Sequence, residues 1–152
     1  MKRRVTLLII IILAVILTGC TKDDVVKQYY TFQGENDSWI GTYIEDGETV
    51  FTEEEGTLKS ESWSDYYFEI EYKGELSDLE DVKHMEISYT IGQRSGNRVT
   101  DYGDNDSIST KTFSMKSGGS SSYSYAKDEV VQVVVNLDGM EENFVLSLKG
   151  GE

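Results

Sequence analysis

Val130-Val-Gln-Val-Val-Val-Asn-Leu137, then Asp138-Gly139, then Glu142-Asn-Phe-Val-Leu-Ser-Leu-Lys149 is the stretch on which the fold turns. Val131, Val133, Val135 and Leu137 fall on one face of an extended chain, and Val130 and Val134 add apolar surface to the other. A strand apolar on both faces belongs in the middle of a sheet. Asp138-Gly139 supplies the two left-handed positions of a type I′ hairpin turn. Asn136 and Met140 beside it leave the exact register open. Phe144, Leu146 and Leu148 then return with the same period of two.

The same period recurs upstream. Tyr66, Phe68, Ile70 and Tyr72 alternate with Tyr67, Glu69, Glu71 and Lys73, the pattern of a half-buried antiparallel strand. His84 to Ile91 places Met85, Ile87, Tyr89 and Ile91 inward. Shorter strands are expected at 29–32, 38–45, 48–52, 57–59 and 107–115. In the second of these, Trp39 and Tyr43 face away from Ile40 and Ile44. Asp46-Gly47 reads as a hairpin turn and Glu53-Glu-Glu-Gly56 as an interruption. Residues 74–82 read as one helical turn or a loop, residues 92–106 as a long polar loop, and 116–127 as a Ser/Gly/Tyr-rich connection. No segment sustains a helical period. The expectation is an all-β, antiparallel β-sandwich of immunoglobulin-like type with seven to eight strands; a small β-barrel is the alternative.

The N-terminus has a different character. Lys2, Arg3 and Arg4 precede an apolar run from Val5 to Leu17, broken only by Thr6. That is the plan of a secretory signal, and it is shorter than the roughly 20 residues that span a bilayer. The run ends in Leu17-Thr-Gly-Cys20. These four residues resemble the lipobox of bacterial lipoproteins. The resemblance implies cleavage between Gly19 and Cys20 and diacylglyceryl attachment to Cys20. With acylation this gives stable anchoring, which a single chain does not. The expected organisation is a signal peptide over 1–19, a lipidated cysteine and tether over 20–27, and one domain over 28–152. The expected location is the outer face of the bacterial cell membrane.

Removal of 1–19 takes three of the 14 basic residues and none of the 28 acidic ones, leaving 11 against 28 and a formal charge of −17. Such an excess disfavours nucleic acid, whose phosphates require basic surface. It also repels anionic lipid. With Cys20 acylated no cysteine remains, so the domain folds without disulfides.

A second resemblance lies in Tyr30-Thr-Phe-Gln-Gly-Glu-Asn-Asp-Ser-Trp39, which is similar to the opening of small lipoproteins of Gram-positive bacteria. Tyr72-Lys73-Gly74, and Asp128-Glu129-Val130 with its alternating valines, extend the likeness over most of the mature chain. It implies a β-sandwich and carries no activity.

Chemistry-bearing residues are sparse. His84 is the one histidine and has no nucleophile context around it; it reads as a surface residue. Asp101, Asp104 and Asp106 gather oxygens as weak calcium candidates, without EF-hand spacing. No cofactor is expected, and no catalytic residue is assigned. Tyr123 and Tyr125 close the stretch Ser117-Gly-Gly-Ser-Ser-Ser-Tyr-Ser-Tyr125, whose composition is that of adaptable binding loops; a flexible connection with packed tyrosines is the simpler account. The sequence thus points to a non-enzymatic binding or interaction module of the cell envelope. Its ligand would be a glycan, a peptide or another envelope protein. The alternative is an acidic inhibitor or chaperone-like partner of a cationic envelope protein.

Overall fold

Period-two apolar residues drive most strands of the computed structural model, which describes residues 24–54, 56–120 and 125–151. Eight strands form: β1 (Asp24–Glu35), β2 (Trp39–Glu54), β3 (Thr57–Tyr72), β4 (His84–Ile91), β5 (Arg94–Asp101), β6 (Thr112–Gly119), β7 (Val130–Leu137) and β8 (Met140–Gly151). A single 3₁₀ turn, Leu76–Leu79, follows β3. The expected all-β antiparallel class and strand number are what the chain adopts. All eight strands belong to one sheet in the order β5-β4-β7-β8-β1-β2-β3-β6.

That sheet curls until its two halves face each other. Tyr89 on β4 packs 4.7 Å from the Phe68 ring on β3 and 5.4 Å from Tyr43 on β2, although three or more strands lie between them in the sheet. Phe32, Trp39, Ile70, Met85, Ile87, Val131, Val133, Val135 and Leu146 fill the space between, all essentially inaccessible. The predicted inward faces of β3, β4, β7 and β8 are the observed ones. β7 lies between β4 and β8, and Asp138 (φ 51°) and Gly139 (φ 88°) make the left-handed turn, with Leu137 opposite Met140. The curl stops short of closure: β5 and β6 are the free edges, and they meet across a seam without pairing.

Three expectations are corrected. Asp46-Gly47 is no turn. β2 runs straight through it because Gln28 on β1 and Ser64 on β3 both pair with Gly47. Two ladders outweigh a local turn preference, and the reversal falls instead at Gly56, where φ is 76°. The supposed loop at 92–106 contains β5, which pairs with all of β4 after a two-residue turn at Gly92-Gln93. Its inward positions, Arg94, Gly96 and Arg98, are not apolar, so alternation was hidden. Strand structure in 107–115 begins later and extends into the Ser/Gly stretch as β6, where Phe113 is buried; Ile108 is buried ahead of it. In addition, β1 begins at Asp24, so residues 24–27 of the expected tether are strand.

The ends of the barrel differ. One is sealed by Trp39, Leu79, Ile108 and Phe113. At the other, β1, β2 and β3 continue past their neighbours. β8 joins β1 only from Tyr30 onward, and β6 leaves β3 at Ser64. A three-stranded tongue of 24–29, 46–54 and 57–63 therefore projects from the rim, with Val25, Val26, Tyr29, Leu58 and Trp63 exposed along it.

Burial separates neighbours on β2 and β4. Ile87→Ala should cost about 3 kcal/mol through transfer and cavity terms, whereas Ile40→Ala, at a position 44% exposed, should cost less than about 1 kcal/mol. Urea midpoints of the two variants at constant slope check the contrast.

Candidate functional site

The interior changes chemistry along β3. Phe68 is followed inward by Tyr66, then Ser64 and Ser62, and along β2 Tyr43 is followed by Glu45, Gly47 and Thr49. The core thus grades from apolar to polar toward the tongue. At the transition lies a charged pair. Glu45 is 2% exposed, and its Oε1 stands 3.0 Å from Nη1 of Arg94, whose side chain is 13% exposed. The contact is an ion pair rather than an aligned hydrogen bond. Arg94 Nη2 donates to Ser64 Oγ at 3.1 Å, and the guanidinium lies 5.5 Å from the centre of the Tyr66 ring. The hydroxyls of Tyr43 (3.2 Å) and Tyr125 both donate to Glu45 Oε2.

Four side chains, Tyr43, Ser64, Tyr66 and Tyr125, therefore surround one carboxylate and one guanidinium. Burial pushes the Tyr43 hydroxyl well above the ordinary tyrosine range, and the Glu45 charge adds to it. Tyr125 is raised by burial and then by its bond to Glu45. Burial opposes the charge on Arg94, but Tyr43 and Glu45 more than offset it, so the guanidinium is held charged. The arrangement leaves the carboxylate inaccessible to solvent.

Beside this cluster the barrel opens. A groove of about 520 Å³ runs along the β5–β6 seam, lined by Tyr66, Tyr89, Gly96, Asn97, Arg98, Val99, Met115 and Lys116. Two features mark it. It contains two cations and no acid, in a chain with twice as many acidic as basic residues. And Tyr89, a residue 1% exposed, lies with its ring and hydroxyl against Gly96 at the floor of the groove. Burial, then Tyr66, raise its ionisation above the ordinary range. Gly96 is needed there: a β-carbon would meet the Tyr89 ring at 2.3 Å. A second depression, about 490 Å³, lies on the outer face around Ile44, Asp46, Asp65 and Tyr67. Lys116 lies over the Tyr67 ring at 4.9 Å, and Tyr67 bonds to Glu69.

The residues singled out from sequence are scattered. Gly19, Cys20 and Tyr123 lie outside the described residues. Tyr125 turns inward as a stopper on the polar end, 5.0 Å from Tyr30 and 5.5 Å from Phe32, both edge-on. Asp101 is engaged by His84 at 2.6 Å, which raises the imidazole above 6.5 chiefly through that hydrogen bond. Asp104 and Asp106 lie in the adjoining turn, and no three His, Cys, Asp or Glu converge among the described residues. Glu45, Arg94 and Tyr89 were missed. The available signal was that Arg94 and Arg98 are the only arginines after Arg4 and sit at i and i+4, on one strand face. No family model matches the chain, and no curated protein or solved structure matches it either.

Two predictions follow from the buried pair. Arg94→Met leaves Glu45 without its counter-charge and should cost about 3–5 kcal/mol, most of it regained when Glu45→Gln is added; chemical denaturation of the single and double variants measures this. Tyr43, Tyr89 and Tyr125 are held neutral by the fold, so they stabilise it fully below their ordinary pKa of 10.0. That contribution is lost as pH rises beyond it. In an alkaline titration their phenolate absorbance should appear only together with loss of the strand circular-dichroism signal.

Proposed function

We propose that this chain is a lipid-anchored, extracytoplasmic lipoprotein that acts as a binding or interaction module of the bacterial cell envelope. The observation that carries the binding reading is the seam groove: a cation-lined recess with no acid in its lining, in a domain of −17 formal charge. Fixed cations amid an acidic surface focus a local field that selects ligands the rest of the protein repels.

The anchor reading rests on Leu17-Thr-Gly-Cys20 and the cationic, apolar stretch before it. Among the described residues no helix is long and apolar enough to cross a membrane. β1 starts four residues after Cys20, so the sheet would be held within about 14 Å of the lipidated cysteine. The second reading, an acidic inhibitor or chaperone-like partner of a cationic envelope protein, is favoured by the overall charge. Both readings are electrostatic and screened by salt beyond about 8 Å at physiological ionic strength, so reversing the groove's own charges is what separates them.

Cys20→Ser should abolish fatty-acid labelling and shift the protein out of the membrane fraction. Crosslinking capture from native membranes should then be compared for the parent and for Arg98→Glu with Lys116→Glu. Loss of the captured species in the charge-reversed protein supports the groove. Undiminished capture that vanishes at high salt supports the acidic-partner reading instead.

A further inference from the structure

We propose that the seam takes an extended peptide carrying acidic side chains, which adds to the free edge of β5 as a ninth strand. This inference rests on the reading of the groove as the binding site and names its ligand class.

Three observations favour a peptide strand. First, the groove is a gap between two strand edges. β5 and β6 end the sheet, so alternate N–H and C=O groups of each have no neighbour on the seam side. An extended peptide satisfies such groups by main-chain hydrogen bonds, and side-chain pockets then give specificity. Second, polarity selects the partner edge. Every neighbouring pair in the sheet is antiparallel, so β5 and β6 themselves run oppositely, and an inserted strand cannot be antiparallel to both. Four consecutive residues of β5, Gly96 to Val99, line the groove against only Met115 and Lys116 of β6. The peptide therefore pairs antiparallel with β5 and meets β6 through those two side chains.

Third, the lining chemistry is specific. On β5, Arg98 lies opposite Ile87 and so shares the inward face, whereas Lys116 stands opposite Tyr67 on the outward face of β6. A strand presents successive side chains to opposite faces. Carboxylates at neighbouring positions would thus find Arg98 on one side and Lys116 on the other. The next inward side chain would meet Tyr66, Met115 and Tyr89, a lining that suits an apolar or β-branched residue. The absence of acids from the lining removes the repulsion that such a peptide would meet elsewhere on this surface.

The experiment uses the full lipidated protein in lipid nanodiscs as bait for a displayed library of random octapeptides. The same protein carrying Arg98→Glu and Lys116→Glu, both exposed positions, serves for counter-selection. Recovered peptides should be rich in Asp, Glu and β-branched residues, and should bind the charge-reversed protein about tenfold or more weakly. N-methylation at alternate residues of a recovered peptide should weaken binding by a similar factor at one parity and leave it unchanged at the other. Amide exchange over Gly96–Val99 should slow on binding. Recovery of basic peptides, no enrichment over the charge-reversed bait, or indifference to N-methylation at both parities would overturn the proposal. If native-membrane capture depends on Arg98 and Lys116 while no peptide is enriched, the peptide class fails and the groove stands. If capture is also indifferent to the charge reversal, the groove reading fails with it.

Discussion

The buried contact between Arg94 and Glu45 is the constraint on which the rest of the molecule depends. β5 has one hydrogen-bonded neighbour and nothing apolar on its inward face, so its own hydrophobic contribution to folding is small. Arg94 ties that strand across the interior to β2, five strands away in the sheet. Desolvating two charges costs several kcal/mol per ion, repaid only when the remaining donors and acceptors are satisfied. Here Tyr43, Tyr125 and Ser64 supply the hydrogen bonds and the Tyr66 face supplies a further attraction. A hydrophobic pair of similar volume would give as much stability. It would give less positional specificity, since apolar contacts tolerate sliding whereas a guanidinium must meet its carboxylate. The pair therefore sets how far the sheet curls, and with that the width of the seam.

A seam of fixed width explains why the groove persists beside an otherwise ordinary core. Antiparallel sheets of eight strands commonly close into barrels, which removes their edges. This one is held short of closure with the Tyr89 ring lying against Gly96, so a larger residue at 96 would force β5 outward. The edge is nonetheless guarded: Arg98 and Lys116 flank it, and charged residues on an exposed edge discourage indiscriminate pairing. A free edge flanked by cations is closed to neutral or basic strands and open to acidic ones. On the proposed binding mode, protection against aggregation and selectivity for a ligand would arise from the same two side chains.

Those parts of the fold governed by alternation were legible in the sequence. β3, β4, β7 and β8 show their inward faces directly because an apolar side chain every second residue has one physical meaning. The Asp138-Gly139 turn was legible because only one ladder competes with it. Asp46-Gly47 misled for the opposite reason: the same local preference sits between two ladders that extend past it on both sides. β5 was invisible because its inward residues serve an ion pair and a ring contact rather than a hydrophobic layer. The candidate site was hidden likewise. Glu45 is one of 28 acids, and nothing local distinguishes the one that is buried. What marks it is Arg94, nearly fifty residues later, and only the sheet order brings them together.

The tongue gives the geometry of the proposed anchor a further consequence. Asp24 lies opposite Phe51, so the Glu54–Thr57 end of the β2–β3 ribbon reaches three residues beyond it, about 10 Å. With Cys20 in the membrane surface, the connection to Asp24 spans at most about 14 Å. The acidic tip, with Glu53 and Glu54, then clears an anionic headgroup layer only if the connection is nearly extended. From Asp24 to Tyr30 the tongue adds about 20 Å before the barrel begins. That distance exceeds two Debye lengths at physiological ionic strength, so the barrel's charge is largely screened from the surface. On the proposed anchor, the tongue would resolve the conflict between an acidic domain and a short attachment. It would let the barrel carry the acidic surface, and the groove set within it, beyond the reach of the membrane's own field.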